Sequence, residues 1–245
     1  MRLLISADLE RILKKRSFIV MLIIVLIYTV LNIIFFANEK VSASGFISLM
    51  NSNIFAPHIV ALLIGLPVFL AVGADEISSN SMQAIIGRGV SRGRMIIAKV
   101  IDCLILITMI YALLSVIAFV SEAVLGAGLS GTQKLHLLAR AAIADLRTFG
   151  ATVMAMAVLF ITYNIALGVI ADICALTIVY LILEMTSALT GVDIAGYSFT
   201  GMMERANDMI VSGVFPYQIP IALLIFCVIP ITAAIIIFSR KELDF

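Results

Sequence analysis

The sequence predicts an all-α, polytopic membrane protein. Of its 245 residues, 63% are hydrophobic and only 13% are charged, and the mean hydropathy is +1.20. Soluble domains are typically about half apolar and about a quarter charged. The apolar residues also lie in long continuous runs. Open sheets leave unpaired backbone groups in lipid and barrel strands are short, so such runs favour helices.

Six apolar runs are long enough to cross the hydrocarbon core, which requires about 20 mostly apolar residues. They lie at residues 17–37, 54–74, 101–121, 149–171, 173–189 and 216–239. The fourth and fifth runs are separated only by residues near 168–172, so we expect a tight helical hairpin there. All six belong to a single transmembrane domain, residues 1–245.

An amphipathic segment, residues 1–16, precedes the first span. On a helical wheel its larger apolar side chains share one face: Ile5, Leu9, Ile12 and Leu13. A helix of this kind lies in the membrane interface with its basic side toward anionic lipid. A simple orientation signal is the alternative interpretation. A cleaved signal peptide is disfavoured because the following apolar run exceeds the 7–15 residues of such peptides.

Basic residues are divided unequally between the two sides of the predicted bundle. The N-terminal segment, the loop 75–99 and the C-terminus together hold 11 of the 16 Lys and Arg residues. Because cytoplasmic loops are enriched in Lys and Arg, both termini and the loop 75–99 are predicted to be cytoplasmic. Segments 122–148 and 190–215 are then extracellular. Each carries an amphipathic stretch that is either an interfacial helix or part of a gate.

The loop 75–99 is polar and basic, yet it contains a small apolar face. Met82, Ile85 and Ile86 are spaced i, i+3 and i+4, so a short helix here would present them together. A simple turn between two spans needs no such face. The loop is therefore predicted to be a docking element for another protein.

The N-terminal segment, the six spans and this loop resemble the permease subunits of type-2 ABC exporters. In that family, the second span ends in an acidic residue, followed by a short helix, a Ser-Arg step and a Lys that enters the third span. The matching positions are Glu76, residues 79–86, Ser91-Arg92 and Lys99. The family's Gly-Thr before the helix is replaced by Asn80-Ser81, and its Pro before Ser-Arg is absent.

The resemblance implies that the loop is a coupling helix seated in a cleft of a separate ATP-binding subunit. The docking residues would be Glu76, Met82, Ile85, Ile86, Arg88 and Arg92. No Lys follows a Gly in a P-loop pattern. We therefore expect no enzyme activity, no catalytic residues and no cofactor in this chain, with ATP and Mg²⁺ bound by the partner. A second permease copy or close relative, and membrane lipid, are the other expected partners; nucleic acid is not.

Glu184 is the predicted pathway residue. It lies 11 residues into the fifth apolar run, near mid-bilayer, where a carboxylate costs roughly 2.5–3.5 kcal/mol and normally faces protein or water. Contact with a cationic cargo or a proton, and a packing role, are equally open. No pair of His, Cys or acidic residues has metal-ligand spacing.

The predicted function is export of amphipathic or lipophilic cargo, by analogy peptides, across the plasma membrane of a bacterium. The alternatives are an ion-coupled secondary transporter that uses Glu184, and an ABC permease for drugs, lipids or polysaccharide. An intramembrane enzyme would need a reactive pair of side chains, and the sequence offers none.

The predicted topology can be tested by cysteine labelling in a chain whose three native cysteines are replaced. Cysteines introduced at Ser79 and Lys241 should react only from the cytoplasm, because their segments carry the excess of basic residues. A cysteine at Asn207 should react only from outside. Labelling at Ser79 by an impermeant reagent added to intact cells would contradict this topology.

Overall fold

The computed structural model describes residues 2–37, 42–56, 58–78, 87 and 89–240, and no strand occurs within these ranges. The helices are α1 Arg2–Leu13, α2 Arg16–Ala37, α3 Ala43–Phe55, α4 His58–Ala74, α5 Arg92–Leu125, α6 Gly131–Thr162, α7 Ile165–Thr190, α8 Phe199–Val211 and α9 Gln218–Arg240. Helix α4 continues for one more turn, Asp75–Ser78. The prediction of an all-α protein is confirmed for the described part of the chain.

Five helices are long and apolar enough to cross a membrane, namely α2, α5, α6, α7 and α9. Helices α3 and α4 are bent by 41° relative to each other and would form a sixth span if taken as one broken helix. The structure is therefore that of a helical protein with several membrane-spanning candidates. The second predicted span, 54–74, coincides with α4 and the end of α3.

The turn between α6 and α7 lies earlier in the chain than the sequence predicted. Tyr163 adopts φ 61° and ends α6, and the Asn164 side chain accepts hydrogen bonds from the backbone N–H groups of Ala166 and Leu167 at the start of α7. Asparagine is among the best N-cap residues because its short side chain reaches these unpaired donors. Residues 168–172, expected to form the turn, instead lie inside α7.

Helix α6 is the centre of the bundle. About 72% of its most apolar stretch is buried, and it contacts α4, α5, α7, α8 and α9. Small residues allow this close packing; a Cβ atom at Gly150 would overlap the Phe199 ring of α8. The helix starts at Ser130, which forms a capping box with Gln133. It continues without a break through residues 132–147, so the amphipathic stretch predicted there is the first half of α6.

The segment after α7 folds back onto α6. Helix α8 places Met203 and Ala206 in a small apolar cluster with Phe199, in agreement with the predicted apolar face. The Arg205 side chain bonds the Asp193 carboxylate in the preceding loop and stacks on Tyr197, 5.1 Å from the ring centroid. This hydrogen bond from Arg205 holds the pKa of Asp193 below its usual value. The loop 190–198 is thereby fixed to α8.

Several helices contain a turn of π-helix. These turns are Asn51–Phe55 at the end of α3, Leu70–Ala74 at the end of α4, Cys174–Ile178 in α7 and Leu224–Val228 in α9. Pro67 precedes the second of them and Pro230 follows the last. Proline removes a helical hydrogen bond, so local widening of the helix lets the remaining backbone groups find partners.

Candidate functional site at the base of the basic loop

The centre of the loop 75–99 lies outside the described residues. Met82, Ile85, Ile86 and Arg88 all fall there, and of Glu76 only the helical backbone is described. Their role in docking stays a prediction. The two flanks of the loop are described, and both are bonded to helices that are distant in sequence.

The C-terminal flank is held by a buried lysine. Lys99, in the second turn of α5, is 1% exposed, and its Nζ lies 2.5 Å from Asp8 Oδ2 of α1 and 4.0 Å from Asp102 Oδ2 one turn further along α5. The i, i+3 spacing of Lys99 and Asp102 in the sequence predicts this local ion pair. An ammonium group with two carboxylates around it can be buried at much lower cost than an unpaired one.

Asp8 is the member of this cluster that the sequence reasoning missed. In the sequence it stands among the apolar residues Ile5, Leu9 and Ile12. It lies on the face of α1 that packs against the rest of the protein, and it is buried. An acidic residue within an otherwise apolar helix face requires a cationic partner. That pattern is the sequence signal that could have revealed it. Helix α1 is thus bonded to the bundle as well as being amphipathic.

The N-terminal flank is held by Lys15, which pairs with Asp75 at the end of α4. Lys15 lies in the short connection between α1 and α2. The same N-terminal region therefore bonds to both ends of the loop, through Asp8 on one side and Lys15 on the other. A displacement of either flank would be passed to α1.

Arg92 joins the loop to the last helix. Its Nη1 donates to the carbonyl oxygens of Phe238, at 2.9 Å, and Ser239, at 3.4 Å, near the end of α9. The guanidinium also lies 5.7 Å from the centroid of the Phe238 ring, which stacks on Tyr163 of the α6–α7 turn. The side chain predicted to dock an ATPase is thus directed toward its own chain's α9. The bonds of Arg92 satisfy helix-terminal carbonyls, as cations at helix C-termini commonly do.

Together these contacts form what we call the loop base: Asp8, Lys15, Asp75, Arg92, Lys99, Asp102 and the C-terminal end of α9. It connects α1, α4, α5 and α9 on one side of the bundle. Charged hydrogen bonds are stronger than neutral ones and are strengthened further where water is excluded. Each charged side chain of the loop base contacts a group of opposite charge or a carbonyl oxygen.

Glu184 does not belong to this cluster, and its predicted mid-bilayer position stays a prediction. Helix α7 begins at Ile165, and Glu184 lies six residues before its last residue, Thr190, about 9 Å from the C-terminal end at 1.5 Å per residue. Its side chain is exposed on the single chain.

Asp172 is another acidic side chain that is buried within the bundle. It was expected in the hairpin turn, but it lies in the second turn of α7, is fully buried, and neither carboxylate oxygen has a hydrogen-bond partner in the described part of the chain. The sequence reasoning assigned it to the turn because the turn was expected at 168–172 and lies at 163–164.

No three His, Cys, Asp or Glu side chains within the described ranges are close enough to hold a metal ion. The described residues form a helical protein with several membrane-spanning candidates, and the polar contacts of the loop base join its distant helices. Comparison of the chain with protein-family models, with curated proteins and with solved structures gives no match.

We expect the buried Lys99–Asp8 ion pair to be essential to stability, whereas an exposed ion pair with the same N–O distance is not. Lys99→Met removes the buried cation that Asp8 and Asp102 share, while Asp8 keeps Arg11 at 3.6 Å, and should cost about 3–5 kcal/mol. Lys14 provides the control: it lies 2.5 Å from Glu10 but its side chain is 74% exposed, so Lys14→Met should cost no more than about 1 kcal/mol. Thermal unfolding in detergent can be followed by thiol-dye reaction with buried Cys103 and Cys227. Equal melting temperatures for the two variants would refute the role of Lys99.

Proposed function

We propose that the chain is the transmembrane subunit of an ATP-driven exporter, resembling the permeases of type-2 ABC exporters. The observation that carries this proposal is the loop base, in which both flanks of the basic loop are bonded to other helices. The ATP-binding subunit and a second permease copy are the proposed partners. The proposed location is the bacterial plasma membrane, with both termini in the cytoplasm.

A coupling element must pass displacement to the spans. A loop that hung freely between two spans would absorb that displacement in its own backbone. Here the Asp8–Lys99 pair connects one flank to α1, and the Lys15–Asp75 pair connects the other to the turn between α1 and α2. Arg92 connects the loop to α9. A partner that moved residues 79–86 would therefore move α1, α5 and α9 with them.

The cargo proposal rests on an apolar cavity of about 540 Å³ between α6, α7, α8 and α9. Its lining is almost entirely hydrophobic and includes Met154, Val158, Leu183, Phe199 and Phe226. Cavities of this volume accommodate drug-sized ligands. The π-helical turn of α7 supplies Cys174 and Ala175 to its wall. The cavity favours amphipathic or lipophilic cargo, of which peptides are our preferred example.

A second candidate function is ion-coupled secondary transport. Asp172, rather than Glu184, favours it, because a fully buried carboxyl without a hydrogen-bond partner is a group that can carry a proton between two states. In this case a proton gradient would drive transport, and Asp172→Asn would abolish transport. Under the exporter proposal, transport follows ATP hydrolysis by the partner, and Asp172→Asn affects stability alone.

The docking proposal is tested by the double variant Ile85→Asp/Ile86→Asp. Burial of an aliphatic side chain is worth roughly 1.5–3 kcal/mol, so loss of two should weaken association with the ATP-binding subunit by roughly 100-fold or more. The matched control is Asn80→Asp/Ala84→Asp, which adds the same charge to the opposite face of the predicted helix. Co-purification and ATPase stimulation in nanodiscs are the measurements.

The two double variants should reach the membrane in equal amounts, because the spans do not depend on the loop face. Ile96→Asp, at a buried position of α5, should instead reduce the amount of inserted protein. If Ile85→Asp/Ile86→Asp keeps normal association and export while Asn80→Asp/Ala84→Asp behaves identically, the predicted face does not dock.

A further inference from the structure

A second polar site lies at the opposite end of the bundle from the loop base. It is a cavity of about 230 Å³ between the end of α3, the first half of α6 and α8. Its charged and polar lining consists mainly of Arg140, Arg147, Glu204, Asn207 and Asp208. Neither the resemblance nor the proposed export function assigns a role to it.

Arg147 is the fixed element of this cavity. It is only 3% exposed, and its Nη2 donates to the carbonyl oxygens of Phe55, at 3.0 Å, and Ala56, at 2.9 Å, where α3 ends before the bend into α4. Its Nη1 lies 3.9 Å from Glu204 Oε1. The Nε donor remains without a partner in the described part of the chain. The guanidinium is therefore held rigidly while one N–H group stays available.

Two other buried atoms of the same lining also lack partners among the described residues. They are Arg140 Nε, a donor, and Asn207 Oδ1, an acceptor. Buried polar atoms are nearly always hydrogen-bonded, and each exception calls for an explanation such as an ion, a water or a ligand. Three such atoms belong to residues that line this cavity. Two are arginine donors and one is an amide acceptor.

The carboxylates of Glu204 and Asp208 add negative charge beside the two arginines of the cavity. Glu204 accepts a hydrogen bond from the Tyr180 hydroxyl at 2.6 Å, which orients it, and exposed Asp208 lies at the rim. Two guanidinium groups favour a phosphate or carboxylate, because their planar N–H groups match paired oxygens. The Asn207 oxygen and the two carboxylates favour an N–H donor with positive charge. The complementary ligand is a small zwitterion that joins an anionic group to a primary ammonium.

The position of the cavity along α6, relative to the membrane, indicates where such a ligand would come from. Helix α6 has 32 residues, about 48 Å at 1.5 Å per residue, whereas the hydrocarbon core is about 30 Å thick. Counting about 20 residues back from Thr162 reaches Ala142, which lies between Arg140 and Arg147. The two arginines therefore flank the edge of the hydrocarbon, at the level of the lipid headgroups.

We propose that this cavity binds the headgroup of an aminophospholipid, with its phosphate on Arg140 and Arg147 and its primary ammonium on Asn207, Glu204 and Asp208. Soluble phosphoethanolamine presents the same chemistry. Because the site is separate from the loop base, the proposal does not depend on the exporter function. Bound headgroup would also hold α3, α6 and α8 together at the bend between α3 and α4.

The test uses the purified full chain in nanodiscs made from mixtures of phosphatidylethanolamine, phosphatidylcholine and phosphatidylglycerol, with retained lipid measured by native mass spectrometry. The wild-type chain should retain phosphatidylethanolamine over the other two by about tenfold, since a hydrogen bond to a charged group has that effect. Phosphatidylcholine lacks ammonium N–H donors, and phosphatidylglycerol lacks the ammonium.

Arg140→Gln should lower the retention of phosphatidylethanolamine by about tenfold, because it removes a charged hydrogen bond to the phosphate. Arg140 is chosen because Arg147 also bonds the carbonyls of Phe55 and Ala56, and its loss would disturb the fold. Arg94→Gln, an exposed arginine near the loop base, is the matched control and should retain lipid as the wild type does. Asn207→Leu should reduce the preference for phosphatidylethanolamine over phosphatidylcholine while phosphate binding persists.

Calorimetric titration of the delipidated chain with soluble phosphoethanolamine shows whether the ligand is a membrane lipid or a compound in solution. Binding of the lipid supports the membrane headgroup as ligand; Arg140-dependent binding of the soluble compound alone supports the same chemistry from solution. The proposal is overturned if neither binds, if phosphatidylglycerol is retained as well as phosphatidylethanolamine, or if Arg140→Gln and Arg94→Gln behave alike.

Discussion

The close packing around α6 is the constraint on which the rest of the structure depends. Lipid is as apolar as the helices themselves, so helices in a membrane associate through tight packing and polar contacts, not through exclusion of water. Gly150 and its small neighbours Ala151 and Ala155 are fully or almost fully buried along α6. They let α4, α7, α8 and α9 approach one helix from several directions. A larger side chain at Gly150 would displace Phe199 and with it the start of α8.

Packing around one helix leaves the ends of the others to be fixed by polar groups. On the loop side, Lys99 and its carboxylates join α1 to α5, and Arg92 joins α5 to α9. On the other side, Arg147 of α6 bonds the carbonyls of Phe55 and Ala56, which the end of α3 leaves without helical partners. Buried charges at these points specify which helices meet, because each is costly unless its partner is present.

The two polar sites differ in what they can do. The loop base is internally paired, so it suits the transmission of displacement from the basic loop to α1, α5 and α9. The cavity at the opposite end keeps donors and an acceptor without partners among the described residues, so it suits recognition of a ligand. Between them, the apolar cavity beside α7 and α9 has almost no polar lining. Mechanical coupling, cargo contact and headgroup binding are thus proposed for three separate parts of one bundle.

Composition and periodicity alone determined the class of protein, the approximate position of most apolar helices and the local pair Lys99–Asp102, because each depends on residues within one helix. The tertiary structure decided the rest. Asp8 meets Lys99 across 91 residues, and Arg147 meets the end of α3 across 92. The hairpin turn formed at Tyr163–Asn164, which placed Asp172 inside the bundle. Periodicity tells which face of a helix is apolar, but which helix covers that face depends on packing between segments far apart in the chain.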